Sequence, residues 1–545
     1  MNKFILLLSS KTTFFVLATI TILALNLTPL ILQIRNAPNG RTFGLIHNNV
    51  QDFYFYQALM NEGANGNTLT YDPYTSETHQ PSIIFSYFLA LGKLSKLLGL
   101  PLAISYHLTR LILGFLFLLS TFYLLLVTRI PHPRLTYLFF LFAAPFMHTI
   151  NDYGKLISVP YMNWWNGIDP IRRAAFLPHH MLGGLLLVVS IILIFKYIKT
   201  PARAALARLI VLSAIMAFVH TPSLLILLLV LPSTMIVFTV INGLSRHFNI
   251  PHLKSHFSLL SLYWLIGLFF LIAMILQTKS GFPWSQYIDW EKNLQFPLDR
   301  ELIGALGILF PFSIVGIFSA IKSKKFENIF IVCWLVVPFL LIPMAPKLNL
   351  SNIRLIQGVP YLPMVILSML GIKMIIDYLN LKINKFIGLL GYWVIGLLFI
   401  IFTFPTLSWS LKDQIREYWP IYGNVYLDNR LNNAFDFINK NFPAKTITIS
   451  TFYSGNYLPA YTHTVSFIGH FGYTYNEKNK EENVRIFFEG KMTIEEAKNF
   501  LLSNKIALVF QGPEEKPLYK NYLYPTLLKP VYDREEVTLY TLKNN

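Results

Sequence analysis

The 545-residue chain is 54% hydrophobic and 13% charged, with a formal net charge of +18. That composition excludes a water-soluble globule with an ordinary charged surface and predicts a polytopic α-helical membrane protein. The single cysteine, Cys333, lies inside an apolar run, which excludes disulfides and cysteine-based metal sites or nucleophiles from the external segments.

A spanning helix needs about 20 mostly apolar residues, and about eleven stretches qualify. In chain order they are Phe14 to Ile34, Ala103 to Val127, Leu135 to Ile150, Phe176 to Lys196, Ala205 to Val219, Ser223 to Ile241, Phe257 to Gln277, Leu302 to Ile321, Ile329 to Ile342, Val359 to Ile376 and Phe386 to Leu407. Those ending at Ile150 and Val219 are short. The first is longer than a secretory signal core and has no small-residue cleavage pattern, so it reads as an uncleaved helix. Lys and Arg gather at Lys3 with Lys11, Arg129 with Arg134, Lys196 to Arg208, Arg246 with Lys254, Lys322 to Lys325 and Lys373 to Lys385. With eleven spans all of these share the side of the amino terminus, which is the cytoplasmic side by the positive-inside rule, and the carboxy-terminal tail lies outside. The positive charge then follows from topology and from attraction to membrane lipids. No basic-aromatic module points to a nucleic-acid partner.

The first outer loop, residues 35–102, carries two helical patterns, Gln51 to Glu62 and Ser82 to Leu98, both expected at the membrane interface. Reading the second as a span would invert every later segment and place the later basic tracts outside, against the charge rule. In the run His47-Asn48-Asn49-Val50-Gln51-Asp52-Phe53, Asp52 falls in the first turn of a helix, where the helix dipole favours the ionised carboxylate. That carboxylate suits a general base. The same Asn49-Val50-Gln51-Asp52 spacing also suits a plain helix cap.

A second outer segment runs from Asp152 through Trp164-Trp165-Asn166-Gly167 to Arg172-Arg173 and His179-His180. From about Lys412 the composition turns soluble. Ala434 to Asn441 reads as a helix, Thr446 to Ser450 as a strand, Thr493 to Ser503 as a helix opened by a capping box, and Ala507 to Phe510 and Val537 to Leu542 as strands. The chain therefore divides into a multi-pass domain, residues 1–410, and a small extracytoplasmic α/β domain, residues 411–545. Within the latter, Tyr453-Ser454-Gly455-Asn456-Tyr457 and Gly469-His470-Phe471-Gly472-Tyr473-Thr474 read as glycine-bearing aromatic loops, suited to carbohydrate contact or to ordinary turns.

This order of parts resembles the GT-C superfamily of integral membrane glycosyltransferases, in the manner of the aminoarabinose transferases and protein mannosyltransferases. The likeness rests on Asp52 after the first span, on Tyr71-Asp72-Pro73 followed by His79-Gln80-Pro81-Ser82, and on Tyr106-His107-Leu108-Thr109-Arg110 at the second span. Pro81 matches the charged-charged-Pro-Pro stretch of those branches. Ser82 departs from it, and His79 and Gln80 stand where an acid and a base are usual. The resemblance implies an inverting transfer from a polyprenyl-phosphate-linked sugar, with Asp52 as general base on an acceptor hydroxyl.

The leaving phosphate would need cations, and Arg presents a planar fork to its oxygens. Arg110 lies inside a predicted span, at a depth where charge is expensive and by default suggests function; a structural pair or snorkelling is the alternative. Arg172, Arg173, Lys347 and Arg354 follow as weaker donor-phosphate candidates, with Arg300 similar. His79, Gln80, Asp152, Trp164 and Trp165 are the candidates for acceptor contact. Trp164-Trp165-Asn166-Gly167 is similar to the tryptophan-rich motif of oligosaccharyltransferases, but its place between spans assigns it to interfacial anchoring or sugar stacking. A divalent metal, if one is used, would fall to His79, Asp152 or His220, although no spacing among the histidines is a recognised ligand pattern. No nucleophile elbow, P-loop or dinucleotide fingerprint occurs.

The expected function is thus a glycosyltransferase serving the cell envelope. Two alternatives stay open: a transporter or lipid-carrier flippase, and a catalytically inactive envelope-binding relative. A transporter should place polar residues near the bilayer midplane on broken or repeated helices. Here the polar residues keep to the outer ends of spans and to outer loops.

Overall fold

The structure, a computed structural model, describes residues 12–243, 250–296, 300–382, 385–416 and 424–543. Lys3, Lys11 and Arg246 of the basic tracts lie outside the described residues. Chain contacts divide the molecule into two compact units, one of residues 1–29, 108–276 and 288–414, the other of residues 30–107, 277–287 and 415–545.

Among the described residues, nine helices are long and apolar enough to cross a membrane: Thr13–Arg35, Leu102–Val127, Pro178–Lys199, Thr221–Gly243, His256–Gln277, Arg300–Lys322, Phe326–Leu348, Tyr361–Leu381 and Leu390–Arg416. The chain is a multi-pass membrane protein. The expected short span ending at Val219 is a 17-residue helix, Arg203–Val219, at the lower limit of spanning length.

The expected span Leu135 to Ile150 is corrected. Its helix covers only Pro133–Phe142. Pro145 stops it, because the residue before a proline is driven out of the helical region, and the chain continues into an antiparallel hairpin of β1 (Met147–Asp152 in this unit) and β2 (Lys155–Pro160). The turn holds Tyr153 and Gly154 at φ of 46° and 85°, a two-residue reversal whose positive φ values suit glycine. An apolar count over 16 residues cannot see this break, since the hairpin strand is itself partly apolar.

The broken segment still runs along the first helix. The Arg134 guanidinium sits 6.0 Å from the Phe14 ring, Tyr137 and Thr19 share a hydroxyl hydrogen bond of 2.8 Å, and the Phe146 N–H reaches the Gly304 carbonyl at 2.9 Å, near the start of Arg300–Lys322. Backbone carbonyls buried beyond a helix end must be satisfied by other protein groups. Arg173 satisfies them here, donating from Nη2 to the Phe140 and Ala143 carbonyls at 3.1 and 2.8 Å, while the Thr406 hydroxyl donates to Pro145 O at 2.7 Å.

The second unit joins the first outer loop to the tail, so the loop that sequence groups with the helical domain packs with the tail instead. Strand β3 (Arg41–Phe43) pairs antiparallel with β4 (Tyr426–Asp428). A five-stranded mixed sheet follows from β5 (Ile447–Ile449), β6 (Val465–Ser466), β7 (Leu508–Gln511), β8 (Leu528–Arg534) and β9 (Val537–Leu542), in the order β6-β5-β7-β9-β8. Ile449, Phe487, Phe488, Leu501 and Val509 form the centre of its core. The expected capping box at Thr493 is present, with Glu496 closing it.

The two outer-loop helices are Val50–Ala64 and Ser86–Leu97. In the first, expected at the membrane interface, every residue from Phe53 to Met60 is buried among protein groups. It packs on the helix Phe452–Tyr461, where Asn61 Nδ2 donates to the Pro459 and Thr462 carbonyls at 3.1 and 2.8 Å. That second helix corrects the expected loop at Tyr453 to Tyr457. Its Gly455 is a packing glycine: a Cβ there would run into the Ile468 carbonyl, and one on Gly469 would meet the Gly455 backbone at 2.5 Å.

Candidate active site

Asp52 is carried in the first turn of Val50–Ala64, but it does not cap that helix. Asn49 does: its Oδ1 accepts from the Gln51 and Asp52 N–H groups at 2.9 and 3.1 Å. The Asp52 side chain is 38% exposed, and its Oδ1 faces the Nε2 of His470 at 3.5 Å. Asn49 is thus the cap of the expected Asn49-Val50-Gln51-Asp52 pattern, and the Asp52 carboxylate, three residues on, faces His470.

His470 belongs to the loop after β6 and is 1% exposed. Its ring is enclosed by Phe55 of the Asp52 helix, by Tyr74 and by Tyr473, at centroid distances of 5.8, 5.6 and 4.5 Å. The loop is tied down in two further places. Thr474 Oγ1 accepts from the Gly469 and His470 N–H groups, both at 3.2 Å, and Gln51 Oε1 accepts the Phe471 N–H at 3.1 Å, across 420 positions of sequence.

Beside this pair lies a buried cluster of charged groups from the segment 71–80. Asp72 is 1% exposed; its Oδ1 accepts the Tyr74 N–H at 2.8 Å and its Oδ2 has no partner. Burial pushes the Asp72 carboxyl well above the usual carboxylate range. Lys480 Nζ bridges to Glu77 at 2.9 Å, and although burial opposes ionisation, the bonds from Thr75 and Lys480 hold the Glu77 carboxyl low. The cluster pins the segment to the helix Glu477–Phe488.

A pH effect follows from Asp72. In the unfolded chain it ionises near pH 4, while in the folded chain it stays protonated to higher pH, so the folded state binds more protons and stability falls as pH rises from about 4. Asp72→Asn should therefore raise the thermal midpoint at pH 7 by about 2–4 °C and flatten its pH dependence. A midpoint that drops on substitution would show the carboxylate to be ionised and stabilising.

The other sequence-selected residues are scattered. His79 has both ring nitrogens engaged with backbone, Nε2 accepting the Asp72 N–H at 3.0 Å and Nδ1 meeting Glu77 O at 2.9 Å, which leaves neither for a metal or an acceptor. The Gln80 side chain is exposed, and its carbonyl accepts from Trp284 Nε1 at 2.7 Å. Asp152 is exposed at the hairpin tip. Trp164 stacks on Phe296 at 4.2 Å, and Trp165 stands edge-on to Phe176. His220 lies among His179 and His180, bonded through Nδ1 to Ser223 at 2.8 Å. Among the described residues no group of three or more His, Cys, Asp or Glu could hold a metal ion.

The cations differ in their partners. Arg110 is 1% exposed and donates from Nη1 to Asn26 Oδ1 and to the Ala175 carbonyl, both at 2.6 Å, so it knits the first helix to the segment before Pro178. Arg173 stacks on Tyr361 at 4.2 Å. Arg354 is ion-paired with Glu291 and packs over Trp290. Arg172 lines a small cleft with Trp165, Trp409 and Asp413, its Nη2 3.5 Å from the Asp413 carboxylate; the cleft also includes Asp169, whose Oδ1 receives the Ile171 and Arg172 N–H groups at 2.8 Å. Lys347 is exposed.

The described residues thus include nine apolar helices, one broken segment and a loop-plus-tail unit that carries a carboxylate just after the first helix. No family model and no curated protein sequence matches the chain. Among solved structures it is similar to the oligosaccharyltransferase AglB of Archaeoglobus fulgidus in complex with an inhibitory peptide and a dolichol-phosphate, at TM-score 0.56 and 12% identity over 91% of this chain and 69% of that one. The same archaeal enzyme tethered to an acceptor peptide also matches at 0.56 and 12%, over 93% and 70% of the two chains. ArnT from Cupriavidus metallidurans bound to undecaprenyl phosphate matches at 0.47 and 12%, over 97% and 98%. The two AglB matches show a shared fold, and the fold alone.

Sequence reasoning passed over His470 as a partner of Asp52. A histidine between glycines in an aromatic loop was visible, but its neighbour lay hundreds of residues away.

Proposed function

We propose that the protein is a membrane glycosyltransferase that moves a sugar from a polyprenyl-phosphate-linked donor to an extracytoplasmic acceptor, with Asp52 as general base. The observation that carries this is the Asp52 carboxylate, half-exposed in the first turn of its helix and backed by a buried imidazole. The fold shared with a dolichol-phosphate-bound oligosaccharyltransferase supports the donor class. In the reaction the acceptor hydroxyl gives its proton to Asp52 and its oxygen forms the new bond to the anomeric carbon. The bond from that carbon to the phosphate oxygen breaks, and the polyprenyl phosphate leaves with the electron pair, so the anomeric centre inverts.

Arg172, which lines a cleft beside Asp413, and Lys347, which is exposed, are the cations assigned here to the leaving phosphate; Arg110, Arg173 and Arg354 bind protein acceptors. Gln80 and Asp152, with exposed side chains, and Trp164, 37% exposed, remain for the acceptor. The orientation follows the basic tracts, amino terminus in the cytoplasm and tail outside. It requires the segment from Pro133 to Phe146 to cross, as its run beside the first helix supports.

The test is transfer of radiolabelled sugar from a panel of polyprenyl-phosphate donors by the full chain in liposomes. Turnover with one donor class is expected. Donor binding or movement across the bilayer without turnover would favour the carrier reading, and binding of an envelope component alone the inactive one.

A further inference from the structure

The contact behind Asp52 has a defined hydrogen. His470 Nδ1 accepts the Gly472 N–H at 3.0 Å, and a ring nitrogen that accepts cannot carry the proton of a neutral imidazole. That proton is therefore on Nε2. This nitrogen is buried with no hydrogen-bond partner, and it lies 3.5 Å from Asp52 Oδ1, just beyond hydrogen-bond length. An orphaned buried donor costs free energy unless it finds an acceptor, and catalytic hydrogen bonds that are long in an empty site tighten when substrate binds.

We infer that His470 is the positioning residue for Asp52. Its Nε2–H holds one carboxylate oxygen and turns the other toward the acceptor hydroxyl, so the base is completed by the tail domain. The inference deepens the proposed function and rests on Asp52 being the base. The loop is built for the task. Thr474 fixes the backbone at Gly469 and His470, Gly472 sets the tautomer, and the Gln51 bond to Phe471 ties the loop to the turn that carries Asp52. Phe55 and Tyr473, stacked at 4.2 Å, wall the ring from water.

The experiment combines turnover with a signal that needs no turnover. In liposomes with the active polyprenyl-phosphate sugar, His470→Ala and His470→Asn should lower kcat about ten- to a hundredfold, the worth of one charge-assisted hydrogen bond, with KM little changed. His470→Gln, whose amide nitrogen reaches the place of Nε2, should restore most of it; the Asn amide reaches only the place of Nδ1. In the full chain labelled with 15N-histidine, the resonance lost in His470→Gln should have the Nε2-protonated signature and shift in Asp52→Asn. Wild-type kcat in a folded His470→Ala, or a resonance that Asp52→Asn leaves unmoved, overturns the inference. Should His470→Ala fail to fold, the Gln rescue and the resonance decide. The two failures are distinct. An active Asp52→Asn enzyme removes the base and its positioning residue together, whereas an inactive Asp52→Asn beside an active His470→Ala removes His470 alone.

Discussion

Asp52→Asn should reduce sugar transfer by roughly 10² to 10⁴-fold, the usual worth of a positioned general base, while leaving the folded protein intact. The structure makes the second half of that expectation specific. Asn49, not Asp52, caps the helix Val50–Ala64, and the buried face from Phe53 to Met60 that anchors the helix is untouched. The amide keeps the shape of the carboxylate and can still accept from His470 Nε2–H, so only the capacity to take a proton is removed. Asp52→Glu should retain a base but misplace it by one methylene, and should fall between the two. Initial rates at saturating donor, with thermal melts as the check on folding, decide the matter. A folded Asp52→Asn enzyme with wild-type kcat would strip Asp52 of its role and leave the transfer reaction to another group.

Arg173→Met should fail in a different way, through stability. The Arg173 guanidinium serves the Ile168, Phe140 and Ala143 carbonyls at 3.1, 3.1 and 2.8 Å and lies over the Tyr361 ring. Two of those carbonyls end the broken helix Pro133–Phe142, where the next turn that would have satisfied them is missing. Methionine fills the volume but donates nothing, and each buried acceptor left unmet costs about 1–3 kcal/mol. The sum is several kcal/mol, a large part of the stability of a typical protein. The variant should therefore express poorly or melt far below wild type, with Arg173→Lys intermediate because one ammonium cannot replace a planar fork. A phosphate ligand would behave oppositely: the variant would fold normally and lose only donor affinity, as measured by binding of polyprenyl phosphate in liposomes.

The two substitutions together mark where sequence reading reaches. Apolar length alone located the helices from Thr13–Arg35 to Leu390–Arg416, because the bilayer imposes the same requirement of about 20 apolar residues on every span. It failed at Leu135 to Ile150, where hydropathy is continuous but the backbone is not, since a proline and a partly apolar hairpin look alike in composition. It ranked Arg110 above Arg172, Arg173 and Arg354 as a phosphate ligand, with a structural pair as the alternative. Their partners separate them: Arg110 and Arg173 donate to backbone carbonyls, Arg172, equally buried, faces Asp413 in a cleft, and Lys347 is exposed.

Local chemistry was legible wherever its cause is local. The carboxylate after the first span, the capping box at Thr493 and strand β9 depend on neighbours within a few residues, and they stand where the residues place them. Which group backs Asp52 depended on Gly455 and Gly469 letting the tail loop cross the helix Phe452–Tyr461 and bring His470 to the outer loop. Membrane class and span-by-span hydropathy were determined by the sequence alone, because the solvent reads them residue by residue. The partner of the candidate base was decided only in the tertiary structure, because it requires two segments separated by some four hundred residues to close on one carboxylate.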